Sequence, residues 1–249
     1  MKNVIRIVIA LMAGVASLLA QQKLAQTGMK FLSVGTDTRI SAIGGGATAT
    51  EGFASSVFYN PASMARIPGQ VDVVIGTTLW IADITHGYGS IAIRPGTGDL
   101  GVFALSFQTV DYGDLFGTEV EGSSGFRETG IFSPTAYAIG FGYAVALNEK
   151  LSIGGHARYV QQSIGSFFRK ANEPKIDFTA EVAAFDLGVL YKTGYKSLNF
   201  GMSIRNFSKE IRYLEENFQL PLTFRVGLSM NMLDLFDVER TSQAFMLTV

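Results

Sequence analysis

The chain has 249 residues, no cysteine and two histidines, and its formal net charge at neutral pH is −1. Charged residues make up only 16% of the sequence, below the roughly 25% that is usual in soluble domains. The composition offers no basic surface for nucleic acid, so no nucleic-acid partner is expected. The absence of cysteine excludes disulfide bonds, a lipid-anchored lipoprotein and thiolate metal sites.

Residues 1–20 are predicted to be a secretory signal peptide. Lys2 and Arg6 supply a positive start, residues 7–19 form a short apolar stretch, and Ala20 precedes a polar sequence. The alternative is a membrane anchor, although the apolar stretch is short for a spanning helix. No run of 18 apolar residues follows Ala20, so the rest of the chain is expected to lack a spanning helix.

Apolar and polar residues alternate along several stretches after residue 70. In the stretch 220–232, Leu222, Phe224 and Val226 would point to one side of a strand and Arg225 to the other. About nine strands are predicted from such stretches, and they cover residues 71–81, 86–94, 101–111, 137–147, 151–162, 185–192, 198–205, 220–232 and 243–249.

The residue types on the two faces of these strands favour a membrane barrel over a soluble β-sandwich, which would also alternate. The polar faces consist mostly of Gly, Ala, Ser, Asn and Arg. Tyrosines such as Tyr137, Tyr159 and Tyr191 stand near strand ends, where the aromatic girdle of a barrel would lie.

The connections between the predicted strands alternate in length. The short ones are 94–101, 148–150 and 193–196, and the long ones are 112–132, 165–182 and 207–219. Outer-membrane barrels have short turns on one side and long loops on the other. The sequence therefore predicts an all-β fold, a transmembrane antiparallel β-barrel over residues 71–249.

The stretch 21–70 lacks strand alternation and is rich in glycine, with three consecutive glycines at 44–46. A phosphate-binding loop is the alternative, but neither a following Gly-Lys-Ser/Thr nor a βαβ unit supports it. The glycines instead predict close packing of backbone. Asn60 and Pro61 predict a turn that opens a short helix over 61–66.

Two motifs in this stretch carry a family resemblance. Arg39, Gly45-Gly46-Ala47 and Ala49, followed by Tyr59-Asn60-Pro61-Ala62, resemble the opening of mature chains in the PorV/PorQ family of outer-membrane proteins, which is related to the FadL-type transporters. The stretches 186–191, 201–206 and 220–228 are also similar to strands of that family, so the resemblance covers nearly all of the chain after the predicted signal peptide.

The resemblance implies a FadL-like barrel of about fourteen strands, with the segment 21–70 folded inside the lumen as a plug. The residues that it marks as a structural plug motif are Arg39, Gly44, Gly45, Gly46, Asn60 and Pro61. The sequence departs from the family in having about nine strands, where bacterial barrels have even numbers, and in ending at Val249 without an aromatic residue. C-terminal strands are therefore expected to be missing from this sequence.

The resemblance also implies a function and a location. PorV-like proteins act with the type IX secretion machinery, which implies an adaptor or shuttle for secreted cargo proteins. Its expected location is the outer membrane of a Gram-negative type bacterium, in contact with outer-membrane lipid. The alternative is a FadL-like channel that takes up small hydrophobic solutes.

Five ionisable side chains are expected on the inward face of the predicted strands, namely His156, Arg158, Asp186, Arg205 and Arg225. We expect a polar network that holds the plug, and a selectivity lining for a solute is the alternative.

No catalytic residue, cofactor or metal ligand is predicted, and the chain is not expected to be an enzyme. Barrel lipid hydrolases use a His-x-Ser pair, whereas His156 is followed by Ala157 and Arg158. Two histidines and no cysteine leave no transition-metal site.

Overall fold

The structure is a computed structural model, and it describes residues 27–96, 98, 100–121, 125–168, 175–213, 216–235 and 246–248. The predicted signal peptide lies outside these residues, as does most of the last predicted strand. Within the described ranges, no helix is both long enough and apolar enough to cross a membrane.

The described chain is mostly β-strand, and its strands pair antiparallel. In chain order they are β1 Val71–Leu79, β2 Thr85–Ile93, β3 Val102–Asp111, β4 Leu115–Glu121, β5 Gly125–Phe132, β6 Thr135–Ala146, β7 Leu151–Phe168, β8 Lys175–Lys192, β9 Asn199–Ser208, β10 Ile211–Tyr213, β11 Glu216–Phe218, β12 Thr223–Asn231 and β13 Met246–Thr248. The prediction of an antiparallel all-β fold is confirmed.

Nine of these strands form one sheet in the order β1-β2-β3-β6-β7-β8-β9-β12-β13, while β4-β5 and β10-β11 form two separate hairpins. Within the described residues, β1 and β13 each pair with a single neighbour, so the sheet is open at both edges. The strands β2, β6 and β8 all end at one end of the sheet, which we call the turn end. The opposite end carries the β4-β5 and β10-β11 hairpins and is called the hairpin end.

The residues before β1 pack against one face of this sheet. This N-terminal segment (residues 27–70) contains the 3-10 helices Lys30–Ser33, Ala54–Phe58 and Pro61–Arg66 and the short α-helix α1, Thr38–Ala42. Further 3-10 turns, Ile81–Asp83 and Met232–Leu235, lie between strands. The helix predicted over 61–66 is confirmed, and the Oδ1 of Asn60 caps it by accepting a hydrogen bond from the backbone N–H of Ala62 at 3.1 Å.

The face that the segment covers is called the inner face, and it carries small and polar side chains. In the middle of β3, Ala104, Ser106 and Gln108 are buried, while Leu105 and Phe107 between them are exposed on the outer face. The same order holds in β6, β8 and β9, so the inward and outward sides predicted from alternation are confirmed. The hydrophobic core lies between the segment and the inner face, where residues such as Phe58, Met64 and Leu32 are almost fully buried.

The long polar loops predicted from the sequence are largely wrong. The stretch 112–132 contains the β4-β5 hairpin, and 207–219 contains β10 and β11. The stretch 165–182 is mostly strand, since β7 continues to Phe168 and β8 begins at Lys175. The outward side chains that follow Tyr159 are polar, so the alternation disappears there although the backbone pairing continues.

Candidate functional site

The Asn60-Pro61 motif lies in the centre of the contact between the N-terminal segment and the sheet. The side chain of Asn60 is fully buried. Its Nδ2 donates to the backbone oxygen of Thr48 at 2.6 Å and to that of Val189 in β8 at 3.1 Å. One amide therefore joins two parts of the segment and ties both to the sheet.

The sheet receives this motif because three neighbouring strands carry glycine on the inner face. A Cβ built on Gly154 of β7 would lie 2.6 Å from the backbone nitrogen of Ala62. A Cβ on Gly188 of β8 would overlap Oδ1 of Asn60, and a Cβ on Gly201 of β9 would overlap the backbone oxygen of Thr48. These glycines form a notch that admits backbone where no side chain would fit.

The other residues of the predicted plug motif lie towards the turn end. Gly44 and Gly45 have positive φ angles of 67° and 81°, a conformation that glycine adopts without steric cost. The backbone oxygen of Gly45 accepts a hydrogen bond from Nη1 of Arg225 at 3.1 Å. A Cβ on Gly46 would crowd the Thr248 side chain at 2.6 Å.

Three of the five predicted network residues meet in one buried cluster. Nη2 of Arg158 lies 2.7 Å from Oδ1 of Asp186, and Nδ1 of His156 lies 3.1 Å from Oδ2 of the same carboxylate. The strand register explains the contact, because His156 and Asp186 stand directly opposite each other on β7 and β8. All three side chains are at least 97% buried.

Ser106 and Gln108 of β3 extend this cluster across β6. Ser106 is paired with Gly140, which is paired in turn with Arg158. Because Gly140 has no side chain, Oγ of Ser106 reaches Nε2 of His156 at 2.7 Å. Oε1 of Gln108 accepts from Nη1 of Arg158 at 3.4 Å.

A β-bulge in β9 adds Asn206 to the cluster. The register with β8 shifts at Asp186, so that Arg205 and Asn206 both lie opposite it, and Asn206 takes a φ of 62°. Its backbone N–H donates to Oδ1 of Asp186 at 2.7 Å, and its Oδ1 accepts from Nη2 of Arg158 at 2.6 Å. The bulge therefore turns two successive side chains inward.

The remaining predicted network residues, Arg205 and Arg225, contact the N-terminal segment. Nη2 of Arg205 donates to the backbone oxygen of Leu32 at 3.3 Å, and its guanidinium carbon lies 5.4 Å from the ring centre of Tyr59. Arg225 binds the carbonyl of Gly45, as described above. The structure thus divides the five residues into one cluster and two separate contacts with the segment.

The hydrogen bonds from Ser106 to His156 and from His156 to Asp186 follow the sequence nucleophile, base and orienting acid of a catalytic triad. The exposed fractions of these three residues are 5%, 3% and 1%, and the ring of Phe58 from the segment lies over His156 with 6.5 Å between ring centres. A substrate would have to displace the segment to reach Ser106. Arg158 also binds Asp186, so the arrangement is that of a buried polar cluster joined by hydrogen bonds, in which Nε of Arg158 has no partner among the described residues.

The outer face of the sheet exposes many large apolar side chains. Among its exposed side chains are Ile75 at 85% exposure, Leu105 at 59%, Phe141 at 51% and Leu187 at 62%. A soluble monomer rarely leaves a continuous apolar surface of this kind in water. Exposed apolar surfaces of this kind mark sites of contact with a membrane or with another protein.

Towards the hairpin end, this apolar surface stops at a row of tyrosine and polar residues. The hydroxyl of Tyr137 donates to Oε1 of Gln161 at 2.7 Å, and that of Tyr159 donates to Glu181. Beyond this row the outward side chains of β8 include the exposed Asp177. On β6, β7 and β8 the apolar zone thus ends at a polar border.

Sequence reasoning missed Ser106, Gln108 and Asn206 as members of the cluster. Ser106 and Gln108 were on the polar side of their strand, but alternation alone does not show which strands are neighbours. Asn206 follows Arg205, and regular alternation assigns it to the outer face. Among the described residues, no group of three potential metal ligands occurs.

The chain was also compared with known proteins. A scan against protein-family models and a search of curated proteins found no match.

Proposed function

We propose that this chain is an outer-membrane protein of PorV/PorQ type whose sheet lies in the membrane as part of a β-barrel. The observation that carries the proposal is the distribution of side chains between the two faces. Most Leu, Ile and Phe side chains of the sheet point away from the core, while His156, Arg158 and Asp186 are buried under the segment. A soluble sheet has the opposite order, with its apolar face inside.

The size of the apolar zone supports the proposal. On β7 it extends from Leu151 to Tyr159, which is nine residues, and a tilted transmembrane strand needs about 9–11 residues. Outer-membrane barrels present an apolar band about 25 Å tall, bordered by aromatic residues. Tyr137 and Tyr159 stand at such a border.

Tryptophan fluorescence can test the membrane environment, because the chain contains a single tryptophan, Trp80. In a Trp80→Phe background, Phe141→Trp places the reporter in the apolar zone. Phe126→Trp is the matched control, since Phe126 is 74% exposed on the β4-β5 hairpin. After reconstitution in liposomes, brominated lipid should quench the reporter at 141 and aqueous acrylamide the reporter at 126. Equal acrylamide quenching at both positions would refute membrane insertion.

Within this membrane setting we propose an adaptor role in type IX protein secretion, which rests on the PorV/PorQ resemblance. The packing of the N-terminal segment against the inner face favours an adaptor over an open channel, because the segment occupies the path that a solute would take. The β4-β5 hairpin supports contacts with other proteins. It pairs with no strand of the main sheet, and it exposes Phe116 and Phe126 by 73% and 74%.

An isolated hairpin has little stability in water, and exposed aromatic side chains are common at protein interfaces. Deletion of the gene should remove a set of proteins from the culture medium, as measured by mass spectrometry, and the wild-type gene should restore them. A Phe116→Ser/Phe126→Ser double variant should reach the membrane normally but fail to restore secretion. An unchanged set of secreted proteins after deletion would refute the adaptor role.

A further inference from the structure

A cleft at the turn end lies between the N-terminal segment and the sheet and has a volume of about 750 Å³. Its walls come from residues 37–55 of the segment, from the turns after β6 and β8, and from β13. Cavities that hold small molecules have volumes of about 300–1,000 Å³. The cleft is therefore large enough for a compact organic ligand.

One wall of the cleft is apolar and open. Ile43 is 44% exposed and Met246 is 45% exposed, and Leu198 from the turn after β8 lies between the segment and the sheet. Ile43 precedes the glycines at 44 and 45, whose positive φ angles turn the chain directly after it. This wall can cover the apolar body of a ligand.

The charged side chains of the cleft divide into engaged and available groups. Glu51 is bound by Nζ of Lys192 at 2.7 Å and by Nδ2 of Asn199 at 2.8 Å. Oδ1 of Asp37 caps α1 by accepting from the backbone N–H of Ile40 at 3.0 Å. Two carboxylates of the cleft therefore already have partners in the protein.

The available charges are mainly positive. Four cationic side chains line the cleft against three carboxylates, but Lys192 binds Glu51 and Nζ of Lys196 donates to the backbone oxygen of Asp234. Arg39 and Lys150 therefore remain as the available cations. The guanidinium carbon of Arg39 lies 4.2 Å from the ring centre of Phe53, and among the described residues no side chain or backbone group binds the N–H edges of this guanidinium. Lys150 lies over Gly194 on the neighbouring turn, with its Nζ 3.3 Å from the position of a Cβ there.

We propose that this cleft binds a small aryl or short-alkyl carboxylate. The carboxylate would accept hydrogen bonds from the N–H edge of Arg39, a geometry in which arginine binds carboxylates through two parallel bonds, with Lys150 nearby. The apolar body would rest on Ile43 and Met246. The proposal goes beyond the function proposed above, because neither membrane insertion nor protein secretion requires a small-molecule site.

Fluorine NMR with para-trifluoromethylbenzoate as the probe tests the site on the full chain in detergent. We expect saturable binding with a dissociation constant below about 1 mM. The neutral para-trifluoromethylbenzamide should bind about tenfold more weakly, since it lacks the charge that Arg39 recognises. Absence of saturable binding, or equal binding of the two probes, would overturn the proposal.

Variants locate the site. Arg39→Gln and Lys150→Gln should each weaken benzoate binding, the first by about tenfold, and leave benzamide binding almost unchanged. Ile43→Ser should weaken both probes. Lys209→Gln, an exposed lysine at the hairpin end, is the matched control and should change neither. Loss of binding in the control, or none in the cleft variants, would contradict this assignment, whatever the outcome of the membrane and secretion experiments.

Discussion

Replacing Gly154 by alanine should loosen the N-terminal segment from the sheet. The new Cβ would lie 2.6 Å from both the backbone nitrogen of Ala62 and the carbonyl carbon of Pro61. Those are backbone atoms, so no side-chain rotation can relieve the contact, and the segment must move by most of an ångström. Overpacking of this kind costs about 1–3 kcal/mol, which makes local opening about 5 to 150 times more frequent.

Hydrogen exchange of the Pro61–Arg66 helix, followed by mass spectrometry, measures this opening. Gly155→Ala is the matched control, because a Cβ on Gly155 points to the outer face and meets its nearest atom at 3.7 Å. The control should exchange as the wild type does or slightly more slowly, since alanine is favoured over glycine within a strand by about 0.5–1 kcal/mol. If both variants left the exchange of the helix unchanged, the notch would not be what positions the segment.

Three further results are expected. Asp186→Asn removes one partner of a buried ion pair, which costs about 3–5 kcal/mol, so the urea midpoint should fall clearly, while an unchanged midpoint would contradict the pairing. A fluorophosphonate probe should leave Ser106 unlabelled in the folded chain, and labelling that disappears in Ser106→Ala would support a catalytic role instead. Burial raises the pKa of Tyr213 to about 12, so the folded state keeps a proton that the unfolded state loses near pH 10. The free energy of unfolding should therefore decrease as the pH rises from about 10 to 12, and Tyr213→Phe should reduce that slope.

The inward and outward sides of the strands could be predicted from the sequence because they depend only on residue parity. In β9, Asn199, Gly201, Ser203 and Arg205 are all buried as predicted. The prediction stops being valid at Asn206, where the bulge turns an additional residue inward. A bulge depends on the pairing with β8, and one strand's sequence does not contain that information.

The ends of the strands and the composition of the cluster could not be predicted for a related reason. Alternation of apolar and polar residues reflects the environment on the two sides of a strand. In β7 the alternation stops after Tyr159, where the strand leaves the apolar zone, although the strand itself continues to Phe168. The contact between Ser106 and His156 crosses an intervening strand at Gly140. The contact depends on the sheet order β3-β6-β7. In this order β3 pairs with β6, although the β4-β5 hairpin lies between them in the sequence.

The irregular backbone of the N-terminal segment explains why the inner face is polar. Segments without regular hydrogen bonds leave carbonyl groups that need donors when they are buried. The sheet supplies them from side chains: Arg205 binds the oxygen of Leu32, Arg225 that of Gly45, and Ser229 that of Ala49 at 2.7 Å.

An apolar inner face would bury these carbonyls unpaired, at about 1–3 kcal/mol each. A purely polar one would lack the contacts that Phe58 and Leu32 make in the core. The irregular backbone of the segment therefore needs hydrogen-bond donors on the sheet. Side chains such as Arg225 and Ser229 supply them. Arg225→Met tests this requirement, because the variant keeps the side-chain volume but leaves the carbonyl of Gly45 without its donor. Exchange of the amides around Gly45 should then increase, while the Pro61–Arg66 helix, held by Asn60, should stay protected.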